Sequence, residues 1–80
     1  MSQADQIVAG LGGHLNIMEI EACITRLRTR LRDVTLIDER ALRSAGAHGV
    51  MRAGAIVQLV LGPGADAVAV NISDMLWSDS

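Results

Sequence analysis

The chain has no phenylalanine, no tyrosine and no lysine, and it holds one tryptophan, one proline and one cysteine. Without Phe or Tyr, and with Trp77 near the end, any core has to be aliphatic; half of the residues are apolar, enough to build one. One cysteine excludes an internal disulfide framework, and a free thiol fits a reducing compartment. No stretch approaches the ~20 apolar residues that span a bilayer, and Met1–Asp5 carries neither a charged leader nor an apolar run. The expectation is a soluble protein whose membrane role, if any, comes through a partner. The net charge of −2 argues against general nucleic-acid binding. With lysine absent, all seven basic residues are arginine, and four stand at alternate positions: Arg26, Arg28, Arg30 and Arg32. Eighty residues make one small domain, 1–80, of modest stability.

Read in order, the chain begins with a helix over about 3–11. Ser2 is the N-cap, Asp5 lies in the first turn, Ile7, Val8 and Leu11 fall at helical spacing, and Gly12-Gly13 ends it. His14 reads as a solvated loop residue. With His48 and Cys23 it makes no spacing that resembles a zinc motif, so no metal is expected. Ile17–Glu21 is a short strand candidate. Thr25–Arg32 alternates Thr or Leu with Arg, a period of two that predicts a strand with Leu27 and Leu31 inward and the four arginines outward. A helix is the rival, but it would scatter the arginines around its circumference. The two strands form a hairpin with Cys23 at its turn.

Asp38 caps a second helix, with Leu42 and Ala45 inward and Gly46 as its stop. Gly49–Gly54 and Ile56–Leu61 read as strands around a Gly54-Ala55 turn, with Val57, Leu59 and Leu61 on one face. Gln58, flanked by Ile56 and Val60, then shares the arginines' face and suggests a docking patch. After the Gly62-Pro63-Gly64 loop, residues 65–77 form a third helix on Val68, Ile72 and Leu76, with a strand as the rival, and 78–80 is a tail. The order α-β-β-α-β-β-α predicts an α+β two-layer sandwich: a four-stranded antiparallel sheet with three helices on one face. Cys23, Arg26, Arg28 and Gln58 lie on the other.

A lone cysteine is ordinarily a small buried hydrophobe, but Arg26 and Arg28 stand too close to Cys23 for a wholly apolar burial. Guanidinium groups favour the nucleophilic thiolate, and their forked donors fit phosphate oxygens. The Thr25 hydroxyl adds a donor. The local chemistry is that of a cysteine that accepts and holds an anion, phosphate foremost. A tyrosine-phosphatase loop is excluded, because the position that would need its arginine holds Thr29.

Ala22-Cys23-Ile24-Thr25-Arg26-Leu27-Arg28 resembles the phosphorylation-site motif of the enzyme IIB domain of the bacterial phosphoenolpyruvate-dependent sugar phosphotransferase system, in its glucose and N-acetylglucosamine branch. Gly12-Gly13, Asn16-Ile17, Leu42, Gly46-Ala47, Gly49-Val50, Val57-Gln58 and Gly62 follow the same family's spacing, so the likeness covers roughly 4–77. Two departures are Glu21, where the family commonly has aspartate, and Arg30, where a small or neutral residue is usual.

The resemblance implies that Cys23 takes a phosphoryl group from a phosphohistidine of enzyme IIA. It then passes the group to a sugar, N-acetylglucosamine or glucose, held by the membrane enzyme IIC. Arg26 and Arg28 act in the transfer, with Thr25 and Gln58 around the phosphate. It implies no cofactor beyond the covalent phosphoryl group, a monomer, and a place at the cytoplasmic face of the membrane. Two readings compete with it. One is a non-enzymatic interaction module docking through the open sheet face. The other is a redox cysteine, which lacks a resolving partner.

Overall fold

Over Arg26–Leu31 the side chains alternate between buried and solvent-facing, and this strand holds the sheet together. In the computed structural model, which describes residues 2–77, four strands form one antiparallel sheet: β1 (Ile17–Cys23), β2 (Arg26–Leu31), β3 (Gly49–Ala53) and β4 (Ile56–Val60). The order across the sheet is β1-β2-β4-β3, so two hairpins are joined through the inner pair β2 and β4. Helices α1 (Gln3–Gly10), α2 (Glu39–Ser44) and α3 (Ala65–Trp77) cover one face. The α-β-β-α-β-β-α order and two-layer architecture are those expected from the sequence. The expected tail at 78–80 lies outside the described residues.

The core is aliphatic, as the missing aromatics require. Leu27, Leu31, Val57 and Leu59 from the sheet meet Ile7 and Leu11 from α1 and its end, Leu42 from α2 and Ile72 from α3, all at most 1% exposed. Helix α1 packs closely on α2, and a Cβ on Gly10 would come within 2.7 Å of Leu42 Cδ2. Ser2 and Asp5 form a reciprocal cap on α1. The backbone and hydroxyl hydrogen bonds from Ser2 hold the Asp5 carboxyl below its ordinary value.

Several boundaries differ from the expected ones. β1 runs on to Cys23 and carries an irregularity at Met18, where Ile17 pairs Leu31 but Glu19 pairs Arg30. The extra residue leaves Met18 exposed and swings Glu19, Glu21 and Cys23 onto the open face. β2 ends at Leu31, so Arg32 does not belong to the stripe. Beyond it the partner is no longer a strand but the turn that precedes β1: the Arg32 N–H donates to Asn16 O, and Arg32 Nε donates to Leu15 O at 3.0 Å. Leu61 likewise lies past β4, its N–H donating to Thr25 O.

Two single 3₁₀ turns, His14–Asn16 and Val34–Leu36, went unforeseen. Asn16 joins their surroundings from a buried position. Its amide donates to Leu11 O at 2.7 Å and Asp33 O at 2.9 Å, and its carbonyl oxygen accepts from Asp33 N at 2.9 Å. A buried amide with three partners is costly to remove, because the partners stay behind unsatisfied. Asn16→Ala should lower stability by about 2–3 kcal/mol, read as a drop in the urea midpoint at unchanged m-value; a midpoint equal to wild type would show that water replaces the amide at no cost.

Candidate functional site

Both hairpins close on two-residue loops. Ala53 pairs Ile56 around Gly54-Ala55, and Cys23 pairs Arg26 around Ile24-Thr25. In each loop the first residue has a positive φ, +60° at Gly54 and +58° at Ile24. Such loops match the right-handed twist of the strands and normally place glycine in that slot. A β-branched residue there is strained, at a cost of order 1–3 kcal/mol. Ile24 is also 88% exposed, so burial does not offset the strain. The loop is held from behind instead. The Thr25 carbonyl accepts from Leu61 N at 2.9 Å and from Gly62 N at 3.0 Å. These two bonds fix the loop against the end of β4 and set the thiol that precedes it.

Cys23 is free and exposed at the end of β1. The register places the candidate side chains in rows across the open face. Cys23, Arg26, Val60 and Gly49 form the row at the loop; Glu21, Arg28, Gln58 and Met51 form the next; Glu19, Arg30, Ile56 and Ala53 form the third. Arg26 is therefore directly across from Cys23, with Cα atoms ~4.5–5.5 Å apart, and Arg28 is its diagonal neighbour at ~7–8 Å. Arg30 is a further two residues along, ~6.6 Å beyond Arg28. Gln58 lies two strands from Cys23, ~12 Å away by strand spacing and rise, with Arg28 between them. The structure thus brings Cys23, Thr25, Arg26 and Arg28 together and sets Gln58, half-buried, at the edge of the group.

The electrostatics divide the arginines further. Arg28 Nη1 stands 3.5 Å from Glu21 Oε1, and Arg30 Nε stands 3.6 Å from Glu19 Oε1. Both are solvent-exposed cross-strand pairs, worth about 0.2–1 kcal/mol each. Arg26 has a softer neighbour, Met51 Sδ at 3.9 Å from its Nη1. Thus Arg26 beside the thiol is the stripe arginine least committed to a carboxylate. The two departures noted in the sequence, Glu21 and Arg30, each belong to one of these pairs. The acidic partners were missed, although Glu19 and Glu21 alternate with Ile20 and Ala22 in the pattern of a half-buried strand. Among the described residues no cluster of His, Cys, Asp and Glu is arranged to hold a metal. No helix of the described residues is long and apolar enough to cross a membrane.

The open face defines a class of protein: a small α+β domain presenting an exposed cysteine beside guanidinium groups. The comparisons with known proteins specify it. Residues 5–38 match the model of the phosphotransferase system EIIB family. The chain is 56% identical over 75 residues to the "PTS system N-acetylglucosamine-specific EIIB component" of Streptomyces coelicolor, covering 94% of this chain and 97% of that one. It is 42% identical to the "PTS system N-acetylglucosamine-specific EIICB component" of Bacillus subtilis, over 79% of this chain and 14% of that one. It is 38% identical to the "PTS system glucose-specific EIICBA component" of Streptococcus pneumoniae, over 96% and 11%. Among solved structures, one domain of the PTS IIabc component from Clostridium difficile has the same fold, with a TM-score of 0.78 and 24% identity over 94% of this chain and 79% of that one. The chain belongs to the EIIB family of the sugar phosphotransferase system, and it is a phosphotransferase component.

The strained loop gives a test of its own. Ile24→Gly should raise stability by about 1 kcal/mol, the relief of strain exceeding the entropy added to the unfolded chain. Urea unfolding reads it, and a loss of stability would show that the exposed isoleucine is held in place by contacts rather than tolerated.

Proposed function

We propose that Cys23 carries the phosphoryl group of this system between two partners. Its thiolate attacks the phosphorus of a phosphohistidine on enzyme IIA; the S–P bond forms, the N–P bond breaks, and the departing imidazole takes up the proton that the thiol gave up. In the second step a hydroxyl of the sugar held by enzyme IIC attacks the same phosphorus. The O–P bond forms, the S–P bond breaks, the thiolate leaves, and the hydroxyl proton passes to solvent. Arg26 and Arg28 stabilise charge on the equatorial oxygens of the transferring group. The Thr25 hydroxyl supplies a donor at the loop, and Gln58 supports the far side through Arg28's row. The phosphoryl group is carried covalently, and no other cofactor takes part.

The observation that carries this reading is the placement of Arg26 directly across from an exposed Cys23, with Arg28 on the diagonal. Exposed Ile24, next to the thiol, and exposed Met51, on the opposite edge strand, give the open face apolar surface on which a protein partner can seat. The names of the relatives support the partners, since similar segments occur within chains called EIICB and EIICBA components. The relative that is 56% identical points to N-acetylglucosamine rather than glucose as the sugar. Residues 1–80 act as one IIB domain, a monomer by itself, working at the cytoplasmic face of the membrane through enzyme IIC.

Two outcomes follow. Cys23→Ser should fold as wild type and transfer no phosphate to sugar, because a hydroxyl is too weakly acidic to match a thiolate near neutral pH; sugar phosphate formed at the wild-type rate would exclude Cys23 as the carrier. Lysine substitutions should separate the stripe by position. Arg26→Lys and Arg28→Lys should still be phosphorylated but deliver to sugar at least about 10-fold more slowly, since a point charge replaces a planar fork. Arg30→Lys, paired with Glu19, and Arg32→Lys, off the sheet face, should stay within about 2-fold of wild type. Measuring protein phosphorylation and sugar phosphate separately on the four variants decides it; equal loss in all four would make the stripe a diffuse docking field.

A further inference from the structure

Two carboxylates face the arginine stripe from β1, and they stand differently toward Cys23. Glu19 pairs with Arg30 in the third row, away from the thiol. Glu21 lies on the same face as Cys23 and two residues before it, ~6.6 Å along the strand. Its Oε1 is 3.5 Å from Nη1 of Arg28, the guanidinium on the thiol's diagonal. Arg28 thus has one fork and two anions within reach: the Glu21 carboxylate at all times, and a phosphoryl group on Cys23 when it is loaded. Arg26 faces no such choice, its neighbour being the Met51 sulfur, a weak acceptor.

The geometry points to Glu21 as a positioning residue that holds Arg28 while the thiol is empty and competes with the phosphoryl group for it once the thiol is loaded. This rests on the reading of Cys23 as the phosphate carrier. No bond is made or broken at Glu21; only the partner of Arg28 changes. A phosphoryl group brings about −1.5 to −2 charge near neutral pH. It draws Arg28 away from Glu21, and it also sits near a like-charged carboxylate on the same strand. Both effects raise the free energy of the loaded state relative to the empty one. Glu21 therefore keeps the phosphocysteine from being held too tightly to pass on, and it returns Arg28 to its starting place when the group leaves. A carrier between two partners needs that balance, because whatever stabilises the loaded state uniformly also slows its discharge.

The test is an equilibrium one. The full chain and three variants, Glu21→Gln, Glu21→Asp and Glu19→Gln, are incubated with the general phosphotransfer proteins and enzyme IIA at a fixed ratio of phosphoenolpyruvate to pyruvate. The phosphorylated fraction is read by intact mass. Glu21→Gln should raise the ratio of loaded to empty protein about 2- to 10-fold, the scale of one exposed ion pair and one like-charge repulsion in high dielectric, and should discharge to sugar more slowly. Glu21→Asp keeps the charge and should rescue the wild-type ratio, and Glu19→Gln should leave it unchanged. The Glu21 side chain is 65% exposed, so the variants fold, with superimposable circular dichroism as the check. A ratio unchanged or lowered in Glu21→Gln, or raised equally in Glu19→Gln, overturns the inference while the carrier reading stands. A wild-type chain that takes no phosphate removes the carrier reading and the inference with it.

Discussion

The pairing register between β1 and β2 is the constraint on which the site depends. Antiparallel partners share a face, so setting Cys23 opposite Arg26 also sets Glu21 opposite Arg28 and Glu19 opposite Arg30. A slip of one residue would exchange the faces, burying the guanidinium groups and exposing Leu27, Thr29 and Leu31. Burial of those three side chains, each at most 1% exposed, makes such a slip prohibitive. The same leucines that build the core therefore aim the arginines. The Thr25 carbonyl, accepting two N–H groups from the chain beyond β4, fixes the end of the hairpin where the thiol stands.

The open face is neither a plain cationic patch nor a plain apolar one. Three arginines face it from β2, and two of them are matched by carboxylates from β1. Among the described residues, the one of these three arginines without a carboxylate partner is Arg26, across from the cysteine. This graded arrangement suits an anion that has to be taken up at one point and given away again. A uniformly basic stripe would hold phosphate along its whole length, and a neutral face would not hold it at all. Exposed Ile24 follows the thiol directly, and exposed Met51 lies on the opposite edge strand against the Arg26 guanidinium.

Much of this was legible in the residues. Alternation over 25–32 announced a strand with leucines inward, which the fold holds to Arg26–Leu31, and glycines at 12, 46 and 54 marked the ends of helices and a hairpin. The cysteine motif resembles that of a known family, and the chain belongs to that family. What stayed hidden was everything that depends on register. The irregularity at Met18 turns β1's carboxylates toward β2, and no local pattern marks it. Arg32 continues the alternation in sequence but lies past the end of β2, opposite a turn instead of a strand, with its Nε donating to Leu15 O. Asn16 enters the sequence reading only through the family's spacing, and the fold alone shows it buried among three hydrogen bonds. The positive φ of Ile24 contradicts its own β-branched preference, so propensity points away from it.

The central claim is that Cys23 carries a phosphoryl group. It is tested most directly by intact mass after incubation with phosphoenolpyruvate, the general phosphotransfer proteins and enzyme IIA, with and without prior alkylation of the only thiol. The account predicts a gain of about 80 Da, one phosphoryl group, that vanishes when Cys23 is alkylated first. A gain that survives alkylation would place the phosphate on another residue, and no gain at all would contradict the account.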